Sequence, residues 1–424
     1  MRFDNLQEWL NWQEGLNPKA IDLGLDRVSR VLDQMGLCAD FSCPVITVAG
    51  TNGKGSTVTF LESILLAADC RVGCYTSPHL FSYNERIRLN GQNVDDASLC
   101  QAFDYVDQAR GNVSLTYFEF GTLAALYLFS RLDLDAVVLE VGLGGRLDAV
   151  NVINADVAIV TTVDVDHVDW LGDNREQIGY EKAGIFRAHR PAIYGALDIP
   201  DSVKKHAGDI QAELFVAGRD YLYQGVGTTS WQWTGPGYRY ANLPVPSLHG
   251  AYQLQNAAAV IMALQQLSLS CDVAEHAISQ GLQRAQLNGR YQQVYDQPRV
   301  IVDVAHNPQA ARVLVEQLKN DPVSGRTKVI LAMLADKAVD EVVNIIAPVV
   351  DDWYVAGLSG PRGLDEASIA KIVKQTLPDV KLRSQLTVSA ACEAVLNESE
   401  GKDRIIILGS FYTVAEATHY FNKV

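Results

Sequence analysis

Short β-branched runs alternate with helix-period segments through most of the chain, and this alternation constrains the fold more than any other feature. It is satisfied by crossover units wound around a largely parallel sheet. The runs Val45 to Ala49, Arg71 to Tyr75, Ala136 to Val141, Val157 to Thr161 and Ala192 to Tyr194 are predicted strands. Helical spacing occupies Lys54 to Ala68, Asp96 to Arg110, Tyr117 to Arg131 and Arg175 to Phe186. Strands this continuously apolar are buried on both faces, so helices should cover both sides of the sheet. From Asp220 to His249 the text turns aromatic and rich in Gly and Pro, with Trp231, Trp233 and Tyr238, which predicts antiparallel hairpins. Helices are expected over Ala251 to Leu267 and Val273 to Arg284, followed by a hinge at Gln286 to Arg290. Strands then resume at Val300 to Val304, Lys328 to Met333, Trp353 to Val355 and Arg404 to Leu408. We expect two α/β domains, over residues 1–288 and 289–424.

Charge limits the partners. Thirty-five Lys and Arg against 50 Asp and Glu leave a net charge of −15, and 48% of residues are hydrophobic. Such a chain is globular and too acidic for general nucleic-acid binding, so an anionic ligand needs a local cluster of donors. The first fifteen residues lack the pattern of a secretory signal, and no apolar run is long enough to span a bilayer. We expect a cytoplasmic protein that engages no membrane. The seven cysteines, Cys38, Cys43, Cys70, Cys74, Cys100, Cys271 and Cys392, are scattered without zinc spacing. They read as reduced packing thiols.

Four segments carry chemistry. In VITVAGTNGKGST, Val45 to Thr57, an apolar strand enters a Gly-rich turn and then a helix, which is the arrangement of a phosphate cradle. Glycines let the backbone approach the anion, successive N–H groups point at it, Lys54 adds charge, and Ser56 or Thr57 can reach magnesium. The spacing departs from the strict G-x-x-x-x-G-K-[ST], since residue 48 is Val and Gly55 follows the lysine. Second, the run ending at Glu140 delivers a carboxylate to a strand end before a GLGG loop, as either a magnesium ligand or a loop cap. Third, Asp164, Asp166, His167 and Asp169 crowd another strand end, where a solvated acidic loop competes with a metal or phosphate site. Fourth, the strand from Val300 ends in Asp303, His306, Asn307 and Pro308, with Arg290 just before it. Asn307 and Pro308 read as helix-start punctuation, which leaves Asp303 and His306 unexplained.

Together and in this order, these segments resemble the folylpolyglutamate synthase and dihydrofolate synthase family, relatives of the Mur ligases. The likeness extends to DLGLDR at Asp22, TSPHL at Thr76, NERIR at Asn84, TYFEFG at Thr116, DHVDWLG at Asp166 and EKAGIF at Glu181. It implies a P-loop parallel-sheet ATPase-type domain binding ATP and pteroate, then a smaller Rossmann-like glutamate-ligase domain. By that resemblance Gly50, Thr51, Asn52, Gly53, Lys54, Gly55, Ser56, Thr57, Asn256, Arg290 and Asp303 meet ATP. Ser77, Glu140, His167 and a carbamylated Lys182 would hold two magnesium ions. Asp22, Leu23, Gly24, Leu25, Thr116, Tyr117, Phe118, Glu119, Leu147, Asp148 and Ala149 match pteroate-binding segments. Lys54, Lys182, His167 and His306 are the catalytic candidates. Ser56 replaces an expected Thr and Phe120 an expected Tyr, neither of which removes needed chemistry.

The implied reaction joins L-glutamate to dihydropteroate and then adds γ-linked glutamates to reduced folates, with ATP as co-substrate. A carboxylate is a poor electrophile, so it is first phosphorylated to an acyl phosphate, which the amine attacks. Acyl phosphates hydrolyse, so closure about the Gln286 to Arg290 hinge is expected to exclude water. The partners expected are these small molecules, on a monomer. A monofunctional folylpolyglutamate synthase, a Mur-type ligase for nucleotide-linked sugar acids, a regulatory P-loop ATPase and a folate-binding module are the rivals. The Mur-type reading needs a uridine-nucleotide domain upstream, where only 44 residues precede Val45.

Overall fold

The computed structural model describes residues 1–19, 21–250, 252–360 and 362–423. The chain divides into two compact units, Met1–Gln286 and Leu287–Val424.

In the first unit an eight-stranded sheet runs in the order Gln92–Asn93, Ile87–Leu89, Val72–Tyr75, Ala136–Glu140, Val45–Ala49, Val157–Val160, Pro191–Tyr194, Glu213–Val216. All neighbours are parallel except the pairings of Ile87–Leu89, which are antiparallel. The three central strands are buried throughout, as their unbroken apolar text requires. Val45–Ala49 lies between Ala136–Glu140 and Val157–Val160, with Val48 beside both Glu140 and Ile159. The glycine turn after Ala49 is thereby set among three strand ends. The helix Lys54–Ala67 shows almost no polar face because it is covered twice, by the sheet and by Glu275–Arg284. That second packing is close: a Cβ on Gly281 would lie 2.5 Å from the Ile64 Cα.

The expected hairpins form a three-stranded antiparallel sheet, Leu222–Val226, Ser230–Gly235 and Tyr238–Pro244. Its buried aromatic face leans on the helix Tyr252–Gln265, where the Trp233 indole donates to the Ala258 carbonyl at 3.1 Å and Gln265 donates to the Tyr240 hydroxyl at 2.7 Å. Ala251, the expected start of that helix, lies outside the described residues.

The second unit is a six-stranded sheet ordered Gln292–Tyr295, Arg299–Asp303, Arg404–Leu408, Thr327–Leu331, Asp352–Ala356, Leu382–Gln385, parallel except at its first pair. The α/β expectation holds in both units. Gln292–Tyr295 and Leu382–Gln385 are edge strands with polar text, which hides them from a hydrophobic-pattern reading. No described helix is long and apolar enough to cross a membrane.

One expectation is overturned. Cys70 and Cys271 form a disulfide, with Cα atoms 5.8 Å apart, while Cys38, Cys43, Cys74, Cys100 and Cys392 are free thiols. The bridge ties the turn after Lys54–Ala67 to the loop before Glu275–Arg284, the two helices that pack at Gly281. Only that helix pairing brings together residues separated by 201 positions. Cys271→Ser is expected to lower unfolding free energy by about 2–4 kcal/mol by freeing a long loop in the unfolded chain. Denaturant titration checks this, and an unchanged midpoint under reducing and non-reducing conditions alike would show that the bridge contributes nothing.

Candidate active site

The loop expected to cradle phosphate owes its shape to two glycines. Gly50 and Gly53 have φ of +151° and +90°, values that side chains disfavour. A Cβ at Gly50 would collide with Thr161 Oγ1, and one at Gly53 would lie 2.7 Å from Asn256 Oδ1. The neighbouring strand end grips the loop. Thr51 N–H donates to the Thr162 carbonyl at 2.9 Å, Thr51 Oγ1 donates to the Asp164 carbonyl at 3.0 Å, and Thr161 Oγ1 donates to the Asn52 carbonyl at 2.6 Å. Lys54, first residue of the helix, folds back so that Nζ donates to the Gly50 carbonyl at 2.9 Å. Gly53 caps a helix whose first turn holds no acidic residue, so the N–H groups and the lysine make a local positive end on an acidic protein.

Beside this loop sits the carboxylate end of the sheet. Glu140 is 5% exposed, and one of its oxygens accepts the Ser77 N–H at 3.2 Å. Burial pushes the Lys182 ammonium down to about 7, with the positive charge of Lys54 adding to the effect and Asp166 and Asp148 opposing it. Burial also pushes Asp148 up to about 7, against hydrogen bonds from the Leu143 and Val150 N–H groups at 2.8 and 3.1 Å. Lys54, Lys182, Asp148 and Asp166 therefore share one electrostatic neighbourhood. His167 begins the short helix Val168–Leu171 with φ +52°, a left-handed conformation uncommon for histidine, and its ring lies 3.9 Å from Asp166. Among the described residues no three His, Cys, Asp or Glu converge as a metal cage. Of the expected magnesium ligands, Ser77 and Glu140 touch each other, while His167 lies beside Asp166.

The three segments expected to bind pteroate, distant in sequence, meet in space. Gly24 N–H donates to the Leu147 carbonyl at 3.3 Å, and Arg27 pairs with both Asp22 and Glu119, at 2.8 and 2.9 Å. Thr116 and Glu119 form a capping box that starts the helix Tyr117–Ser130. Phe118 packs 5.7 Å from Tyr75 and so near Gly142 that a Cβ there would come within 2.7 Å of its ring.

In the second unit Asp303 ends its strand fully desolvated, which pushes its carboxyl up although Arg290 opposes the shift. It accepts N–H groups from Tyr291 and Ala305 at 2.8 and 2.7 Å. Arg290 stacks 5.9 Å from the Phe411 ring. His306 Nδ1 lies 2.9 Å from the Val304 carbonyl, which can only accept, so Nδ1 is the donor in this contact.

One neighbour of the loop, Gln253, escaped the sequence reading, and two others, Arg88 and His79, lie in strings it noted without assigning them partners. Gln253 is buried against Ser56 and Asn256. Arg88 forks onto Glu62, with its closest approach at 2.8 Å, and donates to Thr76 Oγ1 at 3.0 Å. His79 accepts from Arg86 Nε at 2.9 Å, and burial together with that cation pushes the imidazole down to about 4, so it stays neutral. The NERIR and TSPHL strings contain Arg86, Arg88 and His79, but string spacing says nothing of whom they touch.

Comparison with known proteins follows the same outline. The Mur ligase middle domain matches residues 48–264, and the Mur ligase glutamate ligase domain matches residues 289–411. The dihydrofolate synthase/folylpolyglutamate synthase of Escherichia coli is 45% identical over 97% of this chain and 94% of its own. That of Haemophilus influenzae is 38% identical over 97% and 96%. The structure of E. coli FolC in complex with DHPP and ADP superposes with a TM-score of 0.92 at 42% identity, covering 99% and 98% of the two chains. The Yersinia pestis bifunctional enzyme complexed with AMPPNP and Mn gives 0.90 at 41%, with the same coverage.

Proposed function

Since the chain belongs to the dihydrofolate synthase/folylpolyglutamate synthase family of Mur ligases, we propose that it ligates L-glutamate to dihydropteroate, forming dihydrofolate, and then adds γ-linked glutamates to reduced folates. ATP is the co-substrate. The first unit binds ATP and pteroate, the second unit carries the glutamate-ligase function, and the protein acts as a cytoplasmic monomer. The observation that supports this reading is that buried Lys182 feels the charge of Lys54, which opens the helix after a strand paired with the one ending at Glu140.

In the proposed reaction the acceptor carboxylate attacks the γ-phosphorus, an O–P bond forms, and the bond to ADP breaks. The glutamate amine then attacks the acyl carbon, the C–O bond breaks, and phosphate departs with a carboxylate oxygen while the amine releases a proton. The loop N–H groups and Lys54 hold the triphosphate and draw off charge as the phosphoryl group moves. Ser77, Glu140, His167 and carbamylated Lys182 would hold two magnesium ions, which when bound neutralise phosphate charge. Lys182 suits carbamylation because its depressed pKa leaves much of the amine neutral and nucleophilic toward CO2. The Asp22 to Leu25, Thr116 to Glu119 and Leu147 to Ala149 segments bind the pteroate. Arg290 and Asp303 are nucleotide contacts of the second unit, and His306 is its catalytic candidate, its ring oriented by the Nδ1 contact to the Val304 carbonyl.

Acceptor labelled with heavy oxygen in its carboxylate is expected to transfer one label into inorganic phosphate, with release dependent on both dihydropteroate and glutamate. Phosphate without label would end the acyl-phosphate reading. Failure to use dihydropteroate while folate is extended would reduce the protein to the second activity.

A further inference from the structure

The buried polar chain behind the phosphate loop points to a residue that acts on the nucleotide without touching it. Gln253 lies in the first turn of Tyr252–Gln265 and is 1% exposed. Both ends of its carboxamide are committed. Oε1 accepts from Asn256 Nδ2 at 3.0 Å, which leaves the amide nitrogen to donate to Ser56 Oγ at 3.2 Å. Asn256 in turn presents Oδ1 against Gly53, so closely that no side chain fits there. One glutamine thus joins the hydroxyl of the loop helix to the carboxamide that walls the loop glycine.

A serine hydroxyl has one proton to give and two lone pairs to receive with. When Gln253 supplies a proton to Ser56 Oγ, the hydroxyl keeps its own proton and one lone pair for something else. Gln253 hydrogen-bonds to no other described side chain than Ser56 and Asn256. In a buried setting such a bond is directional and costly to leave unmade.

We propose that Gln253 is a positioning residue for ATP: it fixes which way the Ser56 hydroxyl points and holds Asn256 against Gly53, so that the loop is set for phosphate before the nucleotide arrives. This rests on the assignment of the Gly50 to Thr57 loop to ATP. Because its action runs through Ser56, its loss and the loss of the Ser56 hydroxyl should not multiply.

The test measures dissociation constants for magnesium–ADP on the full chain, by calorimetry, for the wild type, Gln253→Met, Ser56→Ala and the double variant. Gln253→Met is expected to weaken binding about tenfold, Ser56→Ala by a similar factor, and the double variant by no more than about twice the larger single effect. Single effects that multiply in the double variant would overturn the proposal, as would a Gln253→Met protein that binds ADP like the wild type. Should Gln253→Met fail to fold by circular dichroism, Gln253→Glu serves instead. It keeps the acceptor toward Asn256 but reverses the bond to Ser56, and ADP binding within twofold of wild type would refute the idea. Lys54→Ala separates the two readings: if it and the wild type bind ADP equally, the loop assignment falls and this inference with it. If Lys54→Ala alone loses binding, the assignment stands and Gln253 has no part in it.

Discussion

Lys54→Ala is expected to cut phosphate release that requires both acceptor and glutamate by about 10²–10³-fold or more, the scale seen when one preorganised charge-stabilising donor is removed. The ammonium sits at the start of the loop helix, 2.9 Å from the Gly50 carbonyl, on a protein whose net charge is −15. A polyanion approaching so acidic a protein depends on such local donors. Lys54→Arg should not restore full rate, because a flat fork cannot occupy the place of a compact point charge within a loop this tight. A second effect follows from the same charge. Lys54 helps depress the Lys182 ammonium, so its removal should raise the Lys182 pKa. Retention of activity within about tenfold of wild type would refute the role assigned to Lys54, provided circular dichroism shows a native fold.

The second large effect concerns Lys182. Lys182→Ala and Lys182→Arg are each expected to lose at least about 10²-fold in ligase rate, since neither can carry a carbamate and so neither can present an anion to a metal. The sign of the pH dependence follows from the depressed pKa. At about 7, half of the amine is neutral at neutral pH, whereas an ordinary lysine at 10.5 has about one neutral molecule in three thousand. Acidification through pH 7 converts the amine to ammonium, which cannot add to CO2. The carbamate fraction and the rate should therefore fall together below about pH 6, and bicarbonate should partly restore both. Intact-mass measurement near pH 8 should show the added mass of one CO2 on the wild type and not on Lys182→Ala. A Lys182→Arg enzyme of near-normal rate would remove the carbamate from the mechanism.

Much of the site was legible locally and much was not. The string from Val45 to Thr57 encodes its own conformation, because glycines at residues 50 and 53 and an apolar strand before them leave few other backbones available. The helix Asp96–Arg110 likewise carries its own start signal, an Asp95 side chain accepting the Ser98 N–H at 2.7 Å. By contrast, Lys182 in isolation reads as a surface lysine. Only burial within the folded unit, together with Lys54, turns it into a group that titrates near neutrality. Gln253 went unnoticed because its partner Ser56 is 197 residues away, a pairing that spacing cannot express. The cysteines misled for the same reason, since an odd and scattered count says nothing of which two helices will pack together.

The amino-acid sequence by itself determined the alternation of strand and helix, the conformation of the glycine loop and the family, because these depend on short-range periodicity and on the conformations that individual residues permit. The tertiary structure alone decided that Asp22 to Leu25, Thr116 to Glu119 and Leu147 to Ala149 meet through Arg27 and Gly24. It also decided that Cys70 finds Cys271. Desolvation, charge proximity and long-range pairing are properties of a residue's neighbours in space, and those are chosen by how the sheet and its helices pack.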